Sequence, residues 1–117
     1  MTLPKEANTR IGVDSSFEGV FKAKGILLIE GSFKGDLIYA DQIYIANTAM
    51  IESNIRGGAI FIEGSVKGNI FSSGRVVLLP GAKIFGDITT PELITQKGVI
   101  LKGICNITQE GTVNENE

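Results

Sequence analysis

The chain has 117 residues, a formal net charge of −2, one cysteine and no histidine or tryptophan. That length is one domain's worth and can enclose a core, while the slightly acidic balance gives no electrostatic footing for nucleic acid. A glycine count of 15 beside only 3 prolines suits short strands joined by tight corners and disfavours helix.

Residues 1–12 carry Pro4, mixed charge and no periodicity, and are expected to form a disordered tail. Met1 and Leu3 are its bulky apolar side chains before Ile11. They are the residues available for a weak peripheral membrane contact, too small to hold one copy at a bilayer but additive over many copies. From residue 13 a phrase recurs. Gly31-Ser32-Phe33-Lys34-Gly35-Asp36-Leu37 returns as Gly64-Ser65-Val66-Lys67-Gly68-Asn69-Ile70. Weaker copies are Phe17-Glu18-Gly19-Val20-Phe21, Ile84-Phe85-Gly86-Asp87-Ile88 and Leu101-Lys102-Gly103-Ile104-Cys105, with a degenerate one at Ile51-Glu52-Ser53-Asn54-Ile55. Their leading apolar residues lie 15 to 18 residues apart, a spacing that signals stacked structural units.

Between the copies run Ile26-Leu27-Leu28-Ile29, Ile43-Tyr44-Ile45, Ile60-Phe61-Ile62, Val76-Val77-Leu78-Leu79 and Leu93-Ile94. These are too short for helices, lack a 3.6 period and are rich in β-branched and aromatic residues, so they read as strands. About 17 residues make one circuit of three short faces, and a circuit that cannot bury its own apolar face must stack on its neighbours. The expected fold is all-β: a single-domain parallel β-helix over residues 13–108, about six coils of three short strands each, with residues 109–117 as a second disordered tail.

Period-2 counting then assigns columns up the stack. In one coil Ile60, Ile62, Gly64 and Val66 point inward; in another Leu27, Ile29, Gly31 and Phe33 do. The residue before each repeat glycine forms an outward column, Glu18, Lys34, Glu52, Lys67, Phe85 and Lys102, whose first four members alternate in sign. Such pairs contribute ~0.2–1 kcal/mol each and disfavour a one-coil slip. The residue after each glycine forms a second column, Val20, Asp36, Asn54, Asn69, Asp87 and Ile104, polar inside and apolar at both ends. A soluble solenoid is expected to cap its terminal coils, and no capping helix is legible here. The ends are therefore expected to be interfaces, with Phe17, Val20 and Phe21 at one and Leu101, Ile104 and Ile107 at the other. A third outward column, Leu28, Tyr44, Phe61, Val77 and Ile94, is apolar; it reads equally as a strip for lateral or partner contact and as a surface covered by a tail.

No constellation for catalysis, metal binding or cofactor binding can be assembled from these residue types, so an enzyme is not expected. Cys105, at a repeat-end apolar position, reads as a small packed residue rather than a nucleophile. No apolar run reaches the length of a signal peptide or membrane span, which points to the cytoplasm. The enzymatic alternative is an acyltransferase of the hexapeptide-repeat type, whose aliphatic residue every sixth position and usual histidine base are both missing. A second alternative is a β-helical binding module, monomeric or a small oligomer, that presents the apolar stripe to one partner.

The repeated Ile-Glu-Gly-Ser phrase at residues 29–32 and 62–65, the Pro80-Gly81-Ala82-Lys83-Ile84-Phe85-Gly86-Asp87-Ile88 segment and the final Gly98-Val99-Ile100-Leu101-Lys102-Gly103 together resemble the bactofilins, small bacterial cytoskeletal proteins. The resemblance implies a right-handed, roughly triangular β-helix with disordered tails. It also implies a homopolymer built end to end without nucleotide, scaffolding cell shape or cell-envelope and peptidoglycan-related proteins at the inner face of the cytoplasmic membrane. Family members commonly carry a short N-terminal apolar membrane segment, here Met1 to Leu3, and often a phenylalanine in the last coil where this chain has Leu101.

Overall fold

Apolar runs that are too short for helices, and that recur once per repeat, must find their hydrogen-bond partners one repeat away. A computed structural model describes residues 9–12, 16–108 and 113–115, with backbone only at 16, 17 and 113–115. Its first strands are β1 (Thr9–Ile11), β2 (Ser16–Lys22), β3 (Ile26–Ile29), β4 (Ser32–Ile45) and β5 (Met50–Ile62). They are followed by β6 (Ser65–Lys67), β7 (Ile70–Leu78), β8 (Lys83–Phe85), β9 (Ile88–Thr90) and β10 (Glu92–Thr95). The last are β11 (Ile100–Lys102), β12 (Cys105–Ile107) and β13 (Val113–Glu115). Every pairing among them is parallel, and each joins a strand to its equivalent in the next coil. The chain is thus an all-β parallel solenoid of about six turns.

Three faces follow from the register. On the first, Phe17, Phe33, Ile51, Val66, Ile84 and Leu101 stand in line. On the second the line is Phe21, Ile38, Ile55, Ile70, Ile88 and Cys105. On the third it is Leu27, Ile43, Ile60, Val76 and Leu93. The inner coils bury these lines completely: Ile38, Ile43, Ile60, Val66, Val76, Ile84 and Ile88 have 0% exposure. Each such side chain contributes ~1.5–3 kcal/mol by leaving water. The expected strand positions and inward parities are those observed, but β4 and β5 run 14 and 13 residues without a break. The ladder carries on around the corner, with Ala40 opposite Gly57 and Gln42 opposite Ala59.

The stack is also longer than residues 13–108. Thr9–Ile11 already forms a rung on the third face against Leu27–Ile29, and Val113–Glu115 forms another against β10. The sequence hides both, because neither segment carries a copy of the glycine phrase; residues 1–8, and with them Met1 and Leu3, lie outside the described residues.

Polar groups that enter the interior serve the corners. The buried Ser72 hydroxyl lies 2.8 Å from the Gly58 carbonyl and 3.0 Å from that of Arg75, and accepts from the Gly74 N–H at 3.1 Å. Thr90 Oγ1 donates to the Glu92 carbonyl at 3.0 Å. Among the described residues no buried side-chain polar atom lacks a partner, as a stable core requires.

The corner from the first to the second face is where successive coils come nearest. Gly68, Gly86 and Gly103 adopt φ of 144°, 149° and 150°. A Cβ at any of them would strike the carbonyl oxygen of the coil before, that of Ser53, Gly68 or Gly86 respectively. The repeat glycine is therefore fixed by backbone conformation and by space together. Gly86→Ala is expected to lower the unfolding free energy by about 3 kcal/mol. Ser65→Ala, on an outward, half-buried side chain, is expected to stay within about 0.5 kcal/mol; urea titration followed by far-UV circular dichroism measures both.

Candidate functional site: the two open ends of the stack

A coil inside the stack hydrogen-bonds to a neighbour on each side, whereas a terminal coil has one neighbour only. Among the described residues β2 pairs with β4 alone, β11 with β8 alone and β12 with β9 alone. On the third face β1 pairs only with β3, and β13 only with β10. Both ends thus present strand edges whose N–H and C=O groups have no described partner, which is the condition that recruits another strand.

Side-chain burial changes at the same places. Phe21 in the first rung is half-buried on the core, its ring edge-on to Phe33 at 6.4 Å and 89°. Val20 beside it is 54% exposed. At the other end Leu101, Cys105 and Ile107 are half-buried on the core, and Ile104 is 62% exposed. The structure therefore places Val20 and Phe21 on one terminal coil and Leu101, Ile104 and Ile107 on the other. Phe17 belongs to the first coil by its register with Phe33, and its side chain is outside the description. Sequence reasoning missed Ile100, 44% exposed on the last rung, because it lies just before the repeat phrase.

The corner column needs a correction. The register shifts after Gly19 and again between Lys34 and Leu37, so Val20 faces Leu37, and Leu37 faces Asn54. Asp36 is the extra residue of a bulge and falls out of the column. From Asn54 onward the column is a relay. Asn54 Oδ1 accepts the Asn69 N–H at 3.0 Å, Asn69 Oδ1 accepts the Asp87 N–H at 3.1 Å, and Asp87 Oδ1 accepts the Ile104 N–H at 3.1 Å. Each link contributes about 1 kcal/mol, somewhat more at the Asp87 carboxylate. Ile104 ends the relay, having no side-chain acceptor to pass on.

The charge column keeps the expected register: Glu18, Lys34, Glu52, Lys67, Phe85 and Lys102 stand in line, all exposed. Its members do not close on one another. The ion pairs of the described residues are elsewhere, Arg10 to Glu30 at 2.8 Å and Arg75 to Glu92 at 3.9 Å. The column acts through screened attraction.

The apolar stripe is in register too, Leu28 with Tyr44, Phe61, Val77 and Ile94. It is not the open strip that period-2 counting implies. Leu28 is 1% exposed and the other four are half-buried, with Tyr44 and Phe61 stacked at 4.7 Å and 9°. Outward parity says which way a side chain leaves the strand and nothing about what lies over it.

Burial pushes the Cys105 thiol above its ordinary pKa, and the Asp87 carboxylate adds to the rise. Among the described residues no cluster of His, Cys, Asp or Glu could hold a metal ion. Among the described residues no helix is long and apolar enough to cross a membrane.

Together these features define a parallel β-solenoid whose two terminal coils, among the described residues, pair on one side only. The bactofilin family profile, described as polymer-forming cytoskeletal, matches residues 9–106. Bactofilin BacO of Myxococcus xanthus strain DK1622 is 31% identical over 97 residues, spanning 83% of this chain and 77% of that protein. The fold also matches the bactofilin of Thermus thermophilus, seen by cryo-electron microscopy as double helical filaments. There the TM-score is 0.75 at 24% identity, over 83% of this chain and 96% of the other. The chain belongs to the bactofilin family, whose members are polymer-forming cytoskeletal proteins.

A raised thiol pKa means less thiolate at a given pH, hence slower alkylation. Cys105 is expected to react with iodoacetamide at pH 8 several-fold more slowly than in the urea-unfolded chain, and Asp87→Asn to recover part of that rate; mass spectrometry of timed samples reads both.

Proposed function

We propose that this protein is a non-enzymatic scaffold whose copies join end to end, terminal coil on terminal coil, into filaments that need no nucleotide. The single observation that carries the reading is the pair of open ends. Each has strand edges without described partners and core-line side chains, Phe21 at one and Leu101, Cys105 and Ile107 at the other, that are half-buried where their inner equivalents are fully buried. A second subunit stacked on such a rung completes the hydrogen bonds and removes the remaining apolar area from water, the two terms that already hold each inner coil. Val20, Ile104 and, by register, Phe17 border the same contacts.

The filament would serve as a scaffold for cell-shape or cell-envelope proteins, on the inner face of the cytoplasmic membrane. Avidity favours that role, since weak contacts repeated on every subunit add along a polymer. The reading as a small binding module relied on an exposed third-face stripe, in which Leu28 is buried and Tyr44, Phe61, Val77 and Ile94 are half-buried.

Leu101→Arg would put an unpaired charge into a stacked apolar layer, at a cost of several kcal/mol per contact. Negative-stain micrographs and sedimentation velocity are expected to show nucleotide-free filaments for the parent chain and short or monomeric species for the variant, both with the same β-type circular dichroism. Filaments of undiminished length in a folded Leu101→Arg protein would falsify end-to-end stacking.

A further inference from the structure

The large exposed apolar side chains lie on the first and second faces and their corners, not on the third. On the second face the outward line begins Lys22, Tyr39, Arg56, Phe71, set in register on four successive coils. Cation and aromatic ring alternate at about 4.8 Å per step. Tyr39 is 42% and Phe71 45% exposed. The Arg56 guanidinium lies over the Phe71 ring, 4.7 Å from its centroid. Among the described residues neither Lys22 nor Arg56 has a carboxylate in ion-pair contact. Beside the line is a depression of about 370 Å³ lined by Tyr39, Asp41, Arg56, Gly57, Phe71 and Ser73. Asp41, its one acid, accepts the Gly25 N–H at 2.9 Å and so is partly occupied.

Aromatic rings beside an unpaired arginine are the composition that dominates binding at protein interfaces. A guanidinium already stacked on a ring holds its N–H fork ready for a carboxylate. The spacing is more telling than the composition. Lys22 and Arg56 are two coils apart, roughly 9.6 Å, and so are Tyr39 and Phe71. A polyproline II segment has three residues per turn and rises about 3.1 Å per residue, so carboxylates three residues apart project to one side and match the two cations, while exposed aromatic rings such as Tyr39 and Phe71 suit the apolar side chain such a segment carries between them. Successive nucleotides of a single strand sit closer together than the two rings, and Arg56 covers the face of Phe71 on which a base would stack.

We propose that the line Lys22, Tyr39, Arg56, Phe71 is a docking site for a partner segment in the polyproline II conformation, bearing two carboxylates three residues apart with an apolar residue between them. The site lies on the flank of the stack, so it stays open when subunits join by their ends and repeats along the filament.

The probe is a fluorescein-labelled peptide of sequence Gly-Ser-Glu-Leu-Ser-Glu-Ser-Gly, titrated with the full chain at low salt and read by fluorescence anisotropy. Saturable binding is expected, weakened about tenfold by Arg56→Ala, less by Lys22→Ala, and unchanged by Lys34→Ala on the first face. Circular dichroism and sedimentation of each variant separate loss of the site from loss of fold or of filaments. No binding at 1 mM peptide, equal binding of the peptide with both glutamates replaced by glutamine, an unchanged affinity in a folded Arg56→Ala chain, or tighter binding of an oligothymidylate would each overturn the proposal.

Discussion

Every backbone N–H and C=O of this fold that is not in a corner looks along the stack for its partner, and the partner belongs to the neighbouring coil. That constraint orders the rest. Parallel register puts like residue over like residue, so the three apolar lines arise without any further instruction. It also forces the first corner to be glycine in the later coils, because at Gly68 and Gly86 the backbone of one coil rests against the carbonyl of the one before. Hydrogen bonds between equivalent positions leave the first and last coils with one neighbour each among the described residues, a consequence of the stacking rather than of any one side chain.

Side chains strengthen the preference for one stacking register in two ways. The relay through Asn54, Asn69 and Asp87 satisfies a backbone N–H of the following coil at each step, and a coil shifted by one residue would bring a serine, a glycine or an isoleucine under that N–H instead. The exposed line of Glu18, Lys34, Glu52 and Lys67 alternates in sign without forming close pairs. Screened charges of this kind contribute little to stability, yet a slip would set like beside like. Burial holds the stack together, and polar periodicity keeps it in step.

Most of the architecture was countable from the chain. Strand parity follows from period 2, and the leading residues Phe33, Ile51, Val66 and Ile84 all proved to be core. Counting failed where corners differ in length. The bulge at Gly35 and Asp36 adds a residue to one corner only, which moves Asp36 out of the column and brings Leu37 in; a glycine count assumes equal corners and cannot detect it. The rungs at Thr9–Ile11 and Val113–Glu115 carry no copy of the phrase, so only pairing with β3 and β10 reveals them. The burial of Leu28 in the third-face stripe escaped counting for another reason: periodicity gives the direction of its side chain and not its cover. Tyr39 and Phe71, with the most exposed rings, follow the phrase instead of belonging to it, and the alignment of Tyr39 with Arg56 depends on the same bulge.

The two kinds of surface are separated by geometry. In the proposed end-to-end stacking, growth uses strand edges and core lines, which face the axis direction; the flanks are perpendicular to it and would be left as they were. A filament therefore multiplies whatever a flank carries, once per subunit, at intervals of about 30 Å for six coils. Under that repetition an individual contact can be weak, since a partner or partner cluster that reaches two sites gains by effective concentration rather than by a better fit. The exposed cations of this slightly acidic chain need not be strong binders singly. Their placement on flanks that end-to-end stacking would leave open is what would let modest contacts matter.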